Sequence, residues 1–221
     1  MNFLSLRRTN RQDRYVVYSY STVTGASEGV YREKGSKFLA FAYPVKDERD
    51  VKEKILTLKK VYFDARHHCY AYVLNPDKSK HRAVDDGEPN HSAGAPILGQ
   101  IRSRNLTNVL VVVVRYFGGI KLGVGGLINA YKTAAQHALN NATAAEREVL
   151  KSMVLHFPYV STPDVMKLVK EFELVIQNQS FEDTCSMEVR IRLRSLNDFL
   201  EKIKQRKAMG VLISAKEIPL S

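Results

Sequence analysis

The stretch from Asn108 to Asn141, NVLVVVVRYFGGIKLGVGGLINAYKTAAQHALNN, decides how the first half of this chain folds. It opens on an unbroken apolar run, Val109 to Val114. A strand without polar alternation is one covered on both faces. The run closes on Arg115 and Tyr116, and five glycines then fall within nine positions: Gly118, Gly119, Gly123, Gly125 and Gly126. Beyond them Leu127, Ala130, Tyr131, Ala134 and Ala138 recur at helical spacing, which predicts a helix over about 125–141. A buried strand, a tight glycine-rich turn and an amphipathic helix point to a layered α+β domain.

Upstream, Lys37 to Val45 (KFLAFAYPV) is aromatic and aliphatic and reads as a strand ending at Pro44. Asp47 to Leu58 places Val51, Ile55 and Leu58 on one helical face. His68 to Leu74 alternates as a strand, and 93–104 suits a short helix. Between them 75–94, NPDKSKHRAVDDGEPNHSAG, has no apolar period and is expected to be a long loop. Residues 1–26 are polar and basic and are expected to form a loose arm ahead of a domain spanning 27–142.

After a linker over about 140–148, the order becomes regular. Strand patterns at 150–157, 174–179, 185–193 and 211–217 alternate with helices at 163–172 and 197–209. Ser161-Thr162-Pro163 and Ser195-Leu196-Asn197 supply the helix starts. This β-α-β-β-α-β order is that of a ferredoxin-like domain, placed at 149–221.

Apolar residues make up 44% of the 221, enough for real cores. The run Val109 to Val114 falls far short of the ~20 residues of a membrane-spanning helix. The start, MNFLSLRRTNRQDRY, is too briefly apolar for a signal peptide. A cytoplasmic location away from membranes is the expectation. Cys69 and Cys185 stand alone, outside any disulfide or zinc-finger spacing. The net charge of +11 is uneven. Residues 150–221 carry 11 Lys/Arg against 9 Asp/Glu, and the remainder carries 23 against 14. A basic excess favours nucleic acid, ribosome or other anionic partners, and also serves solubility.

Three segments carry candidate chemistry. In RYFGGIKLGVGGL the glycines admit close backbone approach, and the helix start offers amide hydrogens to an anion beside Arg115 and Lys121. The same residues also suit a purely structural crossover. Nucleotide fingerprints fail here: Ile128 stands where GxGxxG needs glycine, and Tyr131 where a Walker loop does. In AVDDGEP, Asp85, Asp86 and Glu88 suit either weak magnesium binding or acid/base work, or else a solvated turn bent at Asp86-Gly87. In ARHHCYAY, His67 and His68 point to opposite faces of a strand, so they do not converge on a transition metal and His67 is expected to be structural or a minor site member. No cofactor and no tightly held metal are expected.

Four segments together resemble the YigZ/IMPACT family: KGSKFLA (34–40), DARHHCYAY (64–72), DDGEP with SAGAPIL (85–98), and VVVRYFGGIKLGVGGL (112–127). The resemblance covers most of 27–142, and the second domain also fits the bacterial members. His91, Ser92 and Asn129 depart from residues common in that family. The resemblance implies a first domain like domain IV of elongation factor G, a ribosomal-protein-like fold with a left-handed β-α-β crossover. It implies a second like domain V of the same factor. It further implies a translation-associated role through RNA, ribosome or a translation factor, without catalysis. The rival is an enzyme acting on a phosphorylated metabolite, with Asp85, Asp86 and Glu88 as metal or acid/base groups and Arg115 and Lys121 on the phosphate. Convergence of both segments on one deep pocket would favour the enzyme, and a shallow basic face the binder.

Overall fold

A computed structural model describes residues 16–182 and 184–218. The chain divides into two compact units, 23–143 and 18–22 with 144–218. Both mix helices with antiparallel sheet, so the protein is a two-domain α+β fold.

The elements up to residue 140 are β1 (Ser19–Val23), β2 (Ser27–Glu33), β3 (Ser36–Pro44), α1 (Glu48–Val61), β4 (His67–Leu74), β5 (Lys80–Val84), α2 (Gly94–Ser103), β6 (Val109–Tyr116) and α3 (Gly123–Asn140). Strands β2-β3-β6-β4-β5 form one sheet in that order, antiparallel throughout. The valine strand β6 lies at its centre. Its odd residues, Val109, Val111 and Val113, pack with α2 and α3, including Ile97, Ala130, Ala134 and Ala138. Its even residues, Leu110, Val112 and Val114, pack with Val51 and Leu58 of α1. Two-sided burial is thus reached in an antiparallel sheet, because helices cover both faces.

Small residues bring α3 close to the sheet. A Cβ on Gly29 of β2 would lie 2.3 Å from the Ala138 amide nitrogen, so only glycine fits there. At the start of α1 the Asp47 carboxylate accepts from the amides of Arg49 and Asp50 at 2.8 and 2.9 Å, a side-chain cap.

The remaining elements are β7 (Ala144–Glu148), β8 (Leu150–Phe157), α4 (Thr162–Glu171), β9 (Val175–Phe181), β10 (Cys185–Arg192), α5 (Leu196–Ala208) and β11 (Ser214–Glu217). Their sheet order is β11-β8-β10-β9, antiparallel, the ferredoxin-like arrangement. Alternate residues Met153, Leu155 and Phe157 with Met187, Val189 and Ile191 face Val165, Leu168, Phe199 and Ile203 of the two helices.

Four strands depart from the expectations. β5 lies inside the stretch read as a long loop. Its sequence, KHRAV, occupies a sheet edge and is largely exposed, so it carries no apolar signal. β2 shares that position at the opposite edge. β1 falls in the part of 1–26 read as a loose arm, and β7 in the part of 140–148 read as a linker; the two pair with each other. Residues 1–15 of that arm lie outside the described residues. No helix among the described residues is long and apolar enough to cross a membrane.

Candidate functional site

The register of the first sheet brings the sequence's chemical segments together. Lys37 pairs with Tyr116 and His67 with Arg115, so β3 and β4 begin where β6 ends. The glycine-rich turn leaves β6 at that point. Gly118 sits there because a Cβ would lie 1.9 Å from the Gly35 carbonyl carbon, and its amide donates to Ser36 Oγ at 3.2 Å.

The acidic loop between β5 and α2 closes over this end. Its three carboxylates have three different jobs. Asp85 accepts from the amides of His91, Ala93 and Gly94 at 2.9, 3.0 and 2.8 Å and so caps the start of α2. Burial works to raise its carboxyl, but these amides outweigh burial and hold it below the usual carboxylate range. Asp86 accepts from the His68 amide at 2.7 Å and from Lys59 Nζ at 3.3 Å. Its carbonyl accepts from His67 Nδ1 at 2.9 Å. Gly87, at φ +90°, turns the chain so that Glu88 points inward. Asp86 and Gly87 do form the bend of a tight turn, closed by the Glu88 amide on the Asp85 carbonyl at 3.0 Å, but both aspartates are half-buried and neither lines the cavity below.

Glu88 is buried and takes two donors on one oxygen, Arg115 Nη1 at 2.6 Å and the Tyr131 hydroxyl at 2.7 Å. Arg115, 6% exposed, lies 5.4 Å from the Phe38 ring centre and 5.6 Å from that of Phe117. Its Nε makes no hydrogen bond within the described structure. A buried donor of this kind costs about 1–3 kcal/mol when left unsatisfied. Cys69 extends the cluster, its Sγ 3.3 Å from the Tyr131 hydroxyl and 2.9 Å from the Asp85 carbonyl. Burial drives both the Tyr131 phenol and the Cys69 thiol well above their ordinary values. Both stay protonated.

Arg115 and Glu88 form part of the wall of a cavity of about 330 Å³. Pro89, Phe117, Leu122, Val124 and Leu127 add apolar surface, and Lys121 and Gly123 complete it. Helix α3 begins at this wall. No side chain caps it at Leu122 and no acidic residue lies in its first turn, so nothing in the helix itself offsets its positive end. Gly125, also in that turn, has no atom within 4 Å of where a Cβ would sit.

Of the residues singled out in the sequence, Arg115, Lys121, Gly123 and Glu88 meet at this cavity. Tyr116 faces the opposite side of the sheet and donates to Asp64 at 2.7 Å. Gly118 packs on Gly35, and Gly119 takes a φ of +87° in the turn. Gly125 and Gly126 belong to the first turn of α3. His67 supports the acidic loop. Among the described residues no group of three His, Cys, Asp or Glu side chains lies close enough to hold a metal. Sequence reasoning missed Tyr131 as a site member. Its signal was a tyrosine on an alanine-lined buried face, where a hydroxyl must find a partner.

Comparison with known proteins follows the same segments. The family model described as Impact N-terminal domain matches residues 34–139. "IMPACT family member YvyE" of Bacillus subtilis is 32% identical over 186 residues, covering 84% of this chain and 86% of the relative. "IMPACT family member YigZ" of Escherichia coli is 30% identical over 77% of this chain and 84% of its own length. A solved structure described only as that of an hypothetical protein superposes with a TM-score of 0.70 at 25% identity, over 93% of this chain and 99% of that one.

Proposed function

Because this chain belongs to the IMPACT family and sets a buried, incompletely satisfied arginine against an uncapped helix start, we propose that it is a translation-associated protein that binds RNA without catalysing a reaction. The observation that carries the reading is Arg115, a nearly buried guanidinium whose Nε lacks an acceptor and whose side chain forms part of the cavity wall. A phosphate oxygen is the acceptor that also suits the positive end of α3 and Lys121. The chain's net charge of +11 supplies the long-range attraction for a polyanion.

Against catalysis stands the state of the ionisable groups. Asp85 and Asp86 are committed to backbone amides, and Glu88 neutralises Arg115. Tyr131 and Cys69 are held protonated by burial. None is poised as a general base or nucleophile near pH 7. The convergence of Glu88, Arg115 and Lys121 on one cavity does favour a second reading, in which a small phosphorylated molecule occupies the same place. Competition separates the two: a free nucleoside monophosphate that displaces labelled RNA only at millimolar concentration favours RNA as the ligand.

The direct test reverses the charge of Lys121, which is exposed and outside the core. Lys121→Glu is expected to keep wild-type melting, weaken RNA binding, and make log Kd less steep against log salt by roughly 0.7 per lost single-strand phosphate contact. Unchanged affinity and slope would leave the turn a structural crossover and end this reading.

A further inference from the structure

Four loops meet at the end of the first sheet where β6 stops. The β2–β3 turn at Lys34 and Gly35 packs on Gly118. The loop before β4 is tied to β6 by the 2.7 Å hydrogen bond from Tyr116 to Asp64. On either side of that bond a phenylalanine faces solvent. Phe63, just before Asp64, is 83% exposed, more than any other large hydrophobic side chain described. Phe117, just after Tyr116, is 58% exposed although the Arg115 guanidinium lies against its ring. Neither ring contributes to either core, and exposed aromatic rings in pairs mark contact surfaces.

Among the exposed charges on these loops cations outnumber anions. Asp86 is paired with Lys59 and Glu88 with Arg115, while Asp64, exposed, accepts only from the neutral Tyr116 hydroxyl and keeps its charge. Lys34, Arg66 and Lys121 stand exposed on the same loops. Cations interleaved with open aromatic rings suit a strand whose bases are free to stack. Paired bases hide their faces inside a helix, so duplex RNA cannot use the rings.

We infer that this end of the first unit is a platform for single-stranded RNA, with one base stacked on Phe63, another on Phe117, and a phosphate of the strand held at the Arg115 cavity. The inference rests on the RNA-binding reading above and adds strandedness and the stacking residues to it. Each ring acts through its π-face, so the platform tolerates any base sequence and discriminates strand from duplex.

The test uses the full-length chain with a 5′-labelled decanucleotide of mixed sequence and a hairpin duplex of equal length. Phe63→Ala and Phe117→Ala are each expected to weaken single-strand binding roughly tenfold or more, and Phe63→Ala, remote from the Arg115 cavity, should leave the salt slope and hairpin binding unchanged. Phe63→Trp and Phe117→Trp should retain wild-type affinity, which a merely structural role would not preserve selectively. If Phe117→Ala melts early, Phe63→Ala with its Trp rescue decides alone. Should Lys121→Glu weaken RNA binding while the alanine variants bind as wild type, the platform is wrong and the RNA reading stands. Equal loss for strand and hairpin in Phe63→Ala also overturns it. Wild-type protein that binds neither nucleic acid overturns both.

Discussion

Glu88 and His68 lie two sheet faces apart and illustrate how burial sets the cost of a single side chain. Glu88 neutralises Arg115 inside the first unit, and both side chains are almost wholly buried. Glu88→Gln keeps the shape and removes the charge, stranding a guanidinium beside two aromatic rings. The expected cost is about 3–5 kcal/mol of stability, read by urea unfolding. Lys121→Glu, on the surface, should cost almost nothing on the same assay. His68 is buried, and its Nε2 has no hydrogen-bond partner within the described structure. Burial, helped by the nearby charge of Lys59, lowers its pKa below the ordinary histidine value, against the opposing pull of Asp86. The folded state therefore resists protonation more than the unfolded chain, whose histidine titrates near ~6.5. Stability is fully present above that pH and falls as pH drops through the window beneath it. Unfolding at pH 7.5 and 5.5 should show this loss, and His68→Gln should reduce the difference between the two. A variant with the full wild-type pH difference would assign the loss to another group. The sequence showed the two adjacent histidines on opposite strand faces. It gave no hint which one the α1 side would bury.

At the scale of elements, strands with a covered face were legible and edge strands were not. The central strand β6 announced itself through six consecutive apolar residues, β3 through its aromatic and aliphatic run, and β4, β8 and β10 through alternation. Edge strands β2 and β5 bury few side chains, and β2 meets α3 through a glycine, Gly29, which leaves no apolar pattern to read. Helix α3 poses the sharper question of why it starts with glycine. Gly123 takes a φ of +71°, which other residues reach only with strain. Gly125 has no positive φ and no neighbour within 4 Å of a Cβ, so the fold does not require it. Gly125→Ala is expected to raise stability, by up to about 1 kcal/mol. If a phosphate approaches the first turn, the same methyl group should weaken RNA binding. A stabilised variant with wild-type RNA affinity would show that nothing approaches that turn closely.

For the whole molecule, the second unit keeps its buried residues between Met153 and Ile213. Residues 149–221 expressed alone are therefore expected to unfold cooperatively, as followed by circular dichroism and proton NMR. Neither that fragment nor one that begins at residue 144 holds β1, but the longer one keeps the ion pairs of Glu148 with Arg192 and Arg194, so its midpoint should lie slightly higher. A disordered 149–221 would mean that the small sheet is part of the unit's folding nucleus. The sequence by itself determined the two α+β units, the valine strand at the centre of the first, and the ferredoxin-like order of the second. It also marked Arg115, Lys121 and Glu88 as chemically notable. Those features follow from hydrophobic periodicity and turn chemistry, which are local. Only the tertiary structure decided that Glu88, and not Asp85 or Asp86, meets Arg115, and that Tyr131 joins them from a helix 43 positions away. Such pairings depend on strand register and on which carboxylates the backbone amides claim first, and no local pattern in the chain encodes either.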